Sequence, residues 1–173
     1  MAVFKIAEPA QNVYDEGYIA EKINYILQPE KIQSGYWGGF GFLKCSVNEV
    51  IDQFYIVKNI YHKSTYIPLR HYIISFDSFL EKLTPYQASL ITERVCYDLA
   101  SEGYQVIYAI HEDTYNLHIH ILLNTINLFS GYLFNQDKNA FSYIVSSIKV
   151  AFARVGKKFH IPNLKLNINS KYV

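Results

Sequence analysis

The sequence predicts an α+β fold: a central antiparallel β-sheet covered by α-helices. Three observations carry that prediction. Segments of alternating or continuous apolar residues, the mark of strands, recur along the chain. Segments with apolar residues at helical spacing, several with explicit start and stop signals, are interleaved with them. Two of the strand segments, Tyr104–Ile110 and Leu117–Leu123, follow each other across a short run of turn formers (Asp113, Thr114 and Asn116), which makes them a hairpin and hence antiparallel. The order is β-α-β-α-β-α-β-β-α, and helices laid on an antiparallel sheet are the arrangement that buries both kinds of apolar face. At 173 residues the chain is read as one domain spanning residues 1–173.

Val3–Glu8 alternates and reads as a first strand, ended by Pro9. Glu16–Gln28 fits a helix whose buried stripe is Ile19, Ile23, Ile26 and Leu27, with Tyr25 beside the stripe and Pro29 closing the helix. Ser34–Gly41, rich in glycine and aromatics, reads as a loop. It lacks the spacing and the lysine of a phosphate-binding loop. Phe42–Cys45 reads as the second strand. Ser46 and Glu49 form a capping box for a helix over residues 47–61, with Val50, Phe54, Val57 and Tyr61 inward. Leu69–Phe76 is a strand that directs His71, Ile73 and Ser75 to one face and Arg70, Tyr72 and Ile74 to the other. Thr84, Pro85 and Gln87 open a helix that buries Ala88, Ile91, Val95 and Leu99 and stops at Gly103. After the hairpin, residues 138–155 form a last amphipathic helix carrying Phe141, Ile144, Val145, Ile148 and Phe152, and Leu164–Ile168 reads as an edge strand.

The chemistry concentrates in His111–Asn124, HEDTYNLHIHILLN. Period-two alternation sends His118 and His120 to one face and Leu117, Ile119, Ile121 and Leu123 to the other. In the hairpin, His111 falls opposite or nearly opposite His118, so three imidazoles converge at one end of a strand pair. A metal site needs that arrangement, with rigid ligands on one side and open positions on the other. His-x-His alone is a weak signal, and the third histidine gives it weight. A site of this kind serves a zinc hydrolase, in which the metal activates water, or a harder ion that grips a phosphate. The distinguishing feature is a protein nucleophile: a tyrosine attacking a phosphodiester forms a covalent phosphotyrosine and conserves the bond energy. Tyrosine is abundant, with 16 residues, so a tyrosine near any feature is weak evidence on its own, and Tyr14 and Tyr18 compete with Tyr25.

Composition adds bounds. The net charge is +1, but after Asp137 there are seven basic residues and no acidic one, so the acidic excess sits in the body of the chain. A basic C-terminal segment on an acidic body is the footprint of a phosphate-binding face. No apolar run is long enough to span a membrane, the N-terminal residues carry neither a basic leader nor a long apolar core, and Cys45 and Cys96 show no metal spacing. The expectations are a cytoplasmic protein with no membrane insertion and two buried, reduced thiols.

The pattern His111-x-Asp113 followed by Asn116-Leu117-His118-Ile119-His120 and Asn124 resembles the third motif of bacterial conjugative relaxases of the HUH endonucleases, nearest to the MobA/MobL mobilisation type. Ile23-Asn24-Tyr25-Ile26-Leu27-Gln28-Pro29-Glu30-Lys31 is similar to the first motif of that family, and His71-Tyr72-Ile73-Ile74-Ser75-Phe76 to the second. The three occur in the family's order and span most of the chain. The resemblance implies the HUH relaxase fold and a nicking transesterase: Tyr25 as nucleophile keeping the 5′ end, His111, His118 and His120 holding Mg²⁺ or Mn²⁺, Asp113 orienting a histidine or taking the tyrosine proton, and Ser75 contacting DNA near the nick. It implies an origin of transfer as partner, single-stranded at the nick with adjacent duplex or hairpin, together with accessory relaxosome proteins and a coupling protein. Readings left open beside it are a rolling-circle replication initiator, a non-catalytic origin-binding relative and a zinc hydrolase.

Overall fold

The computed structural model describes residues 2–7, 17–63, 67–76 and 83–159, with side chains from Phe4 onward. Strands β1 (Ala2–Ala7), β2 (Trp37–Phe40), β3 (Leu69–Phe76), β4 (Val106–His111) and β5 (His118–Asn124) alternate with helices α1 (Tyr18–Ile26), α2 (Val47–Ile60), α3 (Pro85–Ser101) and α4 (Lys138–Arg154). The strands form one antiparallel sheet in the order β1-β3-β5-β4-β2. The α+β fold read from the sequence is the one observed. β5 lies at the centre of the sheet, which is why it is apolar on one face and can hold buried imidazoles on the other.

The sheet has a helix layer on each side. Tyr72, Ile74 and Phe76 of β3, Tyr108 and Ile110 of β4 and Ile119, Ile121 and Leu123 of β5 pack under α3 and α4. Ile107, Ala109 and Leu122 face the other way, onto α1 and α2. The expected stripes are the buried ones: Ile19, Ile23 and Ile26 on α1, Val50 and Phe54 on α2, Ile91 and Val95 on α3, Ile148 and Phe152 on α4. The capping boxes at Ser46 and Thr84 are both formed, and Asp137 caps α4 through the Asn139 and Ala140 amides.

Two expectations are corrected. The second strand is Trp37–Phe40, inside the glycine–aromatic stretch read as a loop, and Phe42–Cys45 is not a strand. The Leu43 backbone is satisfied by a side chain instead of a ladder: its N–H donates to Gln53 Oε1 at 2.7 Å and its carbonyl accepts from Gln53 Nε2 at 3.0 Å. The neighbouring Cys45 is exposed, and only Cys96 is a buried thiol. The expected strand Leu164–Ile168 and the candidate Tyr14 lie outside the described residues.

Candidate metal centre

The β4–β5 pairing sets His111 directly across from His118. Alternation then brings His120 to the same face, the one that α1 covers. The ring centroids of His111 and His120 are 4.1 Å apart, those of His118 and His120 5.0 Å and those of His111 and His118 5.3 Å. Each residue offers one ring nitrogen, and these three nitrogens lie within 4.8 Å of one another.

The remaining ring nitrogens show which atoms are free. His111 Nε2 lies 2.9 Å from the carbonyl oxygen of Ile26. A carbonyl only accepts, so Nε2 carries the proton and Nδ1 keeps its lone pair. His118 Nδ1 lies 2.9 Å from the Asn116 carbonyl, which by the same logic leaves the lone pair on Nε2. His120 Nδ1 lies 2.8 Å from His71 Nε2. When His120 donates there, its Nε2 is the lone-pair nitrogen. Both His111 Nδ1 and His120 Nε2 are buried with no hydrogen-bond partner. Each such orphan costs about 1–3 kcal/mol, and one cation shared by the three lone pairs satisfies both. Burial holds His111 below the usual imidazole range, and burial with the neighbouring histidines and Lys31 holds His120 down to about 2. Both rings are therefore neutral at neutral pH, the form that binds a metal. By donor set and protonation the residues fit a divalent ion.

The outer partners come from three elements. Ile26 is the last residue of α1, and its carbonyl belongs to the group that a helix C-terminus leaves unsatisfied. Asn116 lies in the hairpin turn. His71 lies on β3, is buried, and is held to about 4 chiefly by burial, then by the charge of Lys22. The sequence places His71 on the histidine face; its bond to His120 is found only in three dimensions.

Tyr25, one residue before Ile26, packs edge-on against the cluster. Its ring centroid is 5.7 Å from that of His120 and 5.9 Å from that of His111, and the residue is 39 % exposed. Tyr18, the described competitor, is buried in the core between α1 and the sheet. Ser75 pairs in register with His118 across β3 and β5, on the histidine face. Asp113 Oδ1 lies 3.8 Å from His118 Nε2, the lone-pair side of that ring. On the Nδ1 side, His118 is held by the Asn116 carbonyl. Two further residues join the site without an individual sequence signal. Lys31 Nζ sits 3.8 Å from the Tyr25 ring centroid. The carboxylate of Glu112 accepts from Ser34 N at 2.9 Å and Ser34 Oγ at 2.8 Å.

The family model "Relaxase: MobA/VirD2-like, nuclease domain" matches residues 25–149. No curated protein matches the chain. Among solved structures, the chain is similar to the MobM relaxase domain (MOBV; Mob_Pre) bound to 22 nucleotides of plasmid pMV158 oriT DNA in an Mn-bound crystal at pH 4.6. The TM-score is 0.62 and the identity 14%, over 99% of this chain and 96% of that one. A second MobM structure, bound to the 22 nucleotides with a 3′ thiophosphate and Mn-bound at pH 6.8, has a TM-score of 0.59 and 16% identity, over 99% of this chain and 94% of that one. At these identities the likeness establishes the fold.

Proposed function

The chain belongs to the MobA/VirD2-like relaxases, and on that premise we propose that it nicks one DNA strand at an origin of transfer through Tyr25, with the metal held by His111, His118 and His120. The observation that carries this reading is the packing of one solvent-exposed tyrosine against two of three imidazoles that each offer a ring nitrogen within 4.8 Å of the others. Tyr25 Oη attacks the scissile phosphorus, the bond to the 3′ oxygen breaks, and the 5′ phosphate stays on the tyrosine while a 3′ hydroxyl leaves. When bound, the metal supplies Lewis-acid polarisation of the phosphate and neutralises charge that builds in the transition state.

The chain's residues supply the rest. His71, Ile26 and Asn116 fix the three ligand rings. Asp113, on the lone-pair side of His118, is the group for the tyrosine proton. Ser75, level with His118, contacts DNA beside the nick. Nitrogen donors favour Mn²⁺ over Mg²⁺, which prefers oxygen. The protein works in the cytoplasm with accessory relaxosome proteins and a coupling protein. Among the described residues, no helix is long and apolar enough to cross a membrane.

The test is cleavage of labelled single-stranded oligonucleotides tiled across the neighbouring transfer origin, with Mn²⁺ or EDTA, resolved on a denaturing gel. An Mn²⁺-dependent 5′-linked adduct, lost in Tyr25→Phe, is the expected result. An adduct that survives Tyr25→Phe moves the nucleophile to another tyrosine. Binding without adduct or nick makes the protein an origin-binding relative.

A further inference from the structure

Lys31 follows Tyr25 by six residues, yet the chain brings its ammonium back over the Tyr25 ring, 3.8 Å from the centroid. The return is tethered. The Glu112 amide donates to the Lys31 carbonyl at 2.8 Å, and the Glu112 carboxylate takes both the amide and the hydroxyl of Ser34. The segment after Tyr25 is thereby clasped to the residue next to His111. The side chain of Lys31 is half-buried.

Its charge stands without a counterpart from the described residues. Lys22 also lies over an aromatic ring, that of Tyr18, but it pairs with Glu21 at 2.6 Å. Lys44 lies over Trp37 and donates to the Trp37 carbonyl at 2.8 Å. Among the described residues, Lys31 has neither an ion-pair partner nor a hydrogen-bond acceptor for its ammonium. It stands instead beside imidazoles arranged for a cation. The Tyr25 ring that it covers is the one that packs against His111 and His120, with centroids 5.9 and 5.7 Å away. An ammonium set next to a divalent site is a like-charge juxtaposition. An anion placed between the two relieves it, and a phosphodiester under attack by Tyr25 is such an anion.

We infer that Lys31 is a further catalytic residue, whose ammonium, held over the Tyr25 ring, contacts a non-bridging oxygen of the scissile phosphate. This rests on the nicking reading above. In the step, the bond from Tyr25 Oη to phosphorus forms as the bond from phosphorus to the 3′ oxygen breaks. The phenol proton leaves to a base, the 3′ oxygen takes up a proton, and Lys31 remains charged throughout. Its charge offsets the negative charge that accumulates on the phosphoryl oxygens, the use to which lysine and arginine are put in phosphoryl transfer.

The experiment compares wild type, Lys31→Met, which keeps the stem without the charge, and Lys31→Arg, which keeps the charge. Two readouts are taken: Mn²⁺ affinity of the DNA-free proteins by calorimetry, and single-turnover cleavage of the oligonucleotide that wild type cuts. Lys31→Met is expected to bind Mn²⁺ about threefold or more tightly, because a like charge is gone, and to cleave about 100-fold more slowly. Lys31→Arg is expected to cleave within about tenfold of wild type. The opposed signs exclude general damage, which weakens both. Wild-type cleavage by Lys31→Met overturns the assignment. So does weaker Mn²⁺ binding with slower cleavage, which makes Lys31 a packing residue for Tyr25. If wild type cuts none of the oligonucleotides, the nicking reading fails and the catalytic role of Lys31 falls with it; the Mn²⁺ titration separates the two failures, because unchanged affinity in Lys31→Met overturns the placement of the Lys31 charge beside the metal as well.

Discussion

His71 and His120 meet at 2.8 Å, and this contact decides which nitrogen of His120 faces inward. A metal-binding imidazole needs an acceptor on its far nitrogen to hold the tautomer and the ring. At His111 and His118 the acceptor is a backbone carbonyl, which no substitution removes. At His120 it is the side chain of His71, buried on the neighbouring strand, so it can be tested. Replacing His71 by Ala is expected to weaken Mn²⁺ binding by about 10–100-fold, read by calorimetry on DNA-free protein. Unchanged affinity would mean that His120 is oriented by packing alone. The residue scale also marks the reach of the sequence. His111, His118 and His120 are legible because a hairpin and a two-residue period are enough to place them. Lys31 and Glu112 are not, because their roles depend on a loop returning to a strand end from 81 positions away, as the hydrogen bond between the Glu112 amide and the Lys31 carbonyl records.

At the scale of elements, the misread second strand has a steric cause. Glycines lower strand propensity, so Trp37-Gly38-Gly39-Phe40 reads as a loop. The structure uses those glycines for close approach. A Cβ at Gly39 would sit 2.1 Å from the Val106 carbonyl oxygen and 2.9 Å from the Ile107 Cα, both backbone atoms of the adjoining strand. Backbone cannot step aside as a side chain can, so Gly39→Ala is expected to cost about 3 kcal/mol, the upper end of overpacking. It should lower the urea midpoint with little change in slope. Gly17, where a Cβ meets nothing within 4 Å, is the control, and Gly17→Ala should stay within about 0.5 kcal/mol. Equal losses at the two positions would remove the steric argument. The helices, by contrast, are readable because Ser46, Thr84 and Pro85 carry their start signals locally, and Phe42–Cys45, which among the described residues is not the strand expected, is a segment whose partner is a glutamine side chain on α2.

For the whole molecule, the sheet separates two charged features that the sequence leaves unrelated. The histidines and Tyr25 lie on the α1 side. The basic helix α4 packs with α3 on the opposite face, through Phe141, Ile144, Ile148 and Phe152. That helix is tied there by polar bonds as well: Ser147 Oγ donates to Asp98 at 2.5 Å, and Asp98 pairs with Arg94 at 2.8 Å. Two of its exposed charges, Lys149 and Arg154 in its C-terminal half, therefore lie away from the histidine cluster with the sheet between them. Exposed charges separated by more than a Debye length, about 8 Å in physiological salt, are screened from one another. The double change Lys149→Glu with Arg154→Glu is accordingly expected to leave single-turnover cleavage of a short saturating oligonucleotide within about twofold of wild type, since chemistry at a distant site feels little of α4. Affinity for longer DNA with a duplex or hairpin flank should fall, and its salt dependence should flatten by about one unit of slope for each phosphate that α4 no longer neutralises. If cleavage of the short strand drops as far as it does in Lys31→Met, then α4 acts on the chemistry itself and the division of the molecule into a cutting face and a separate basic face is wrong.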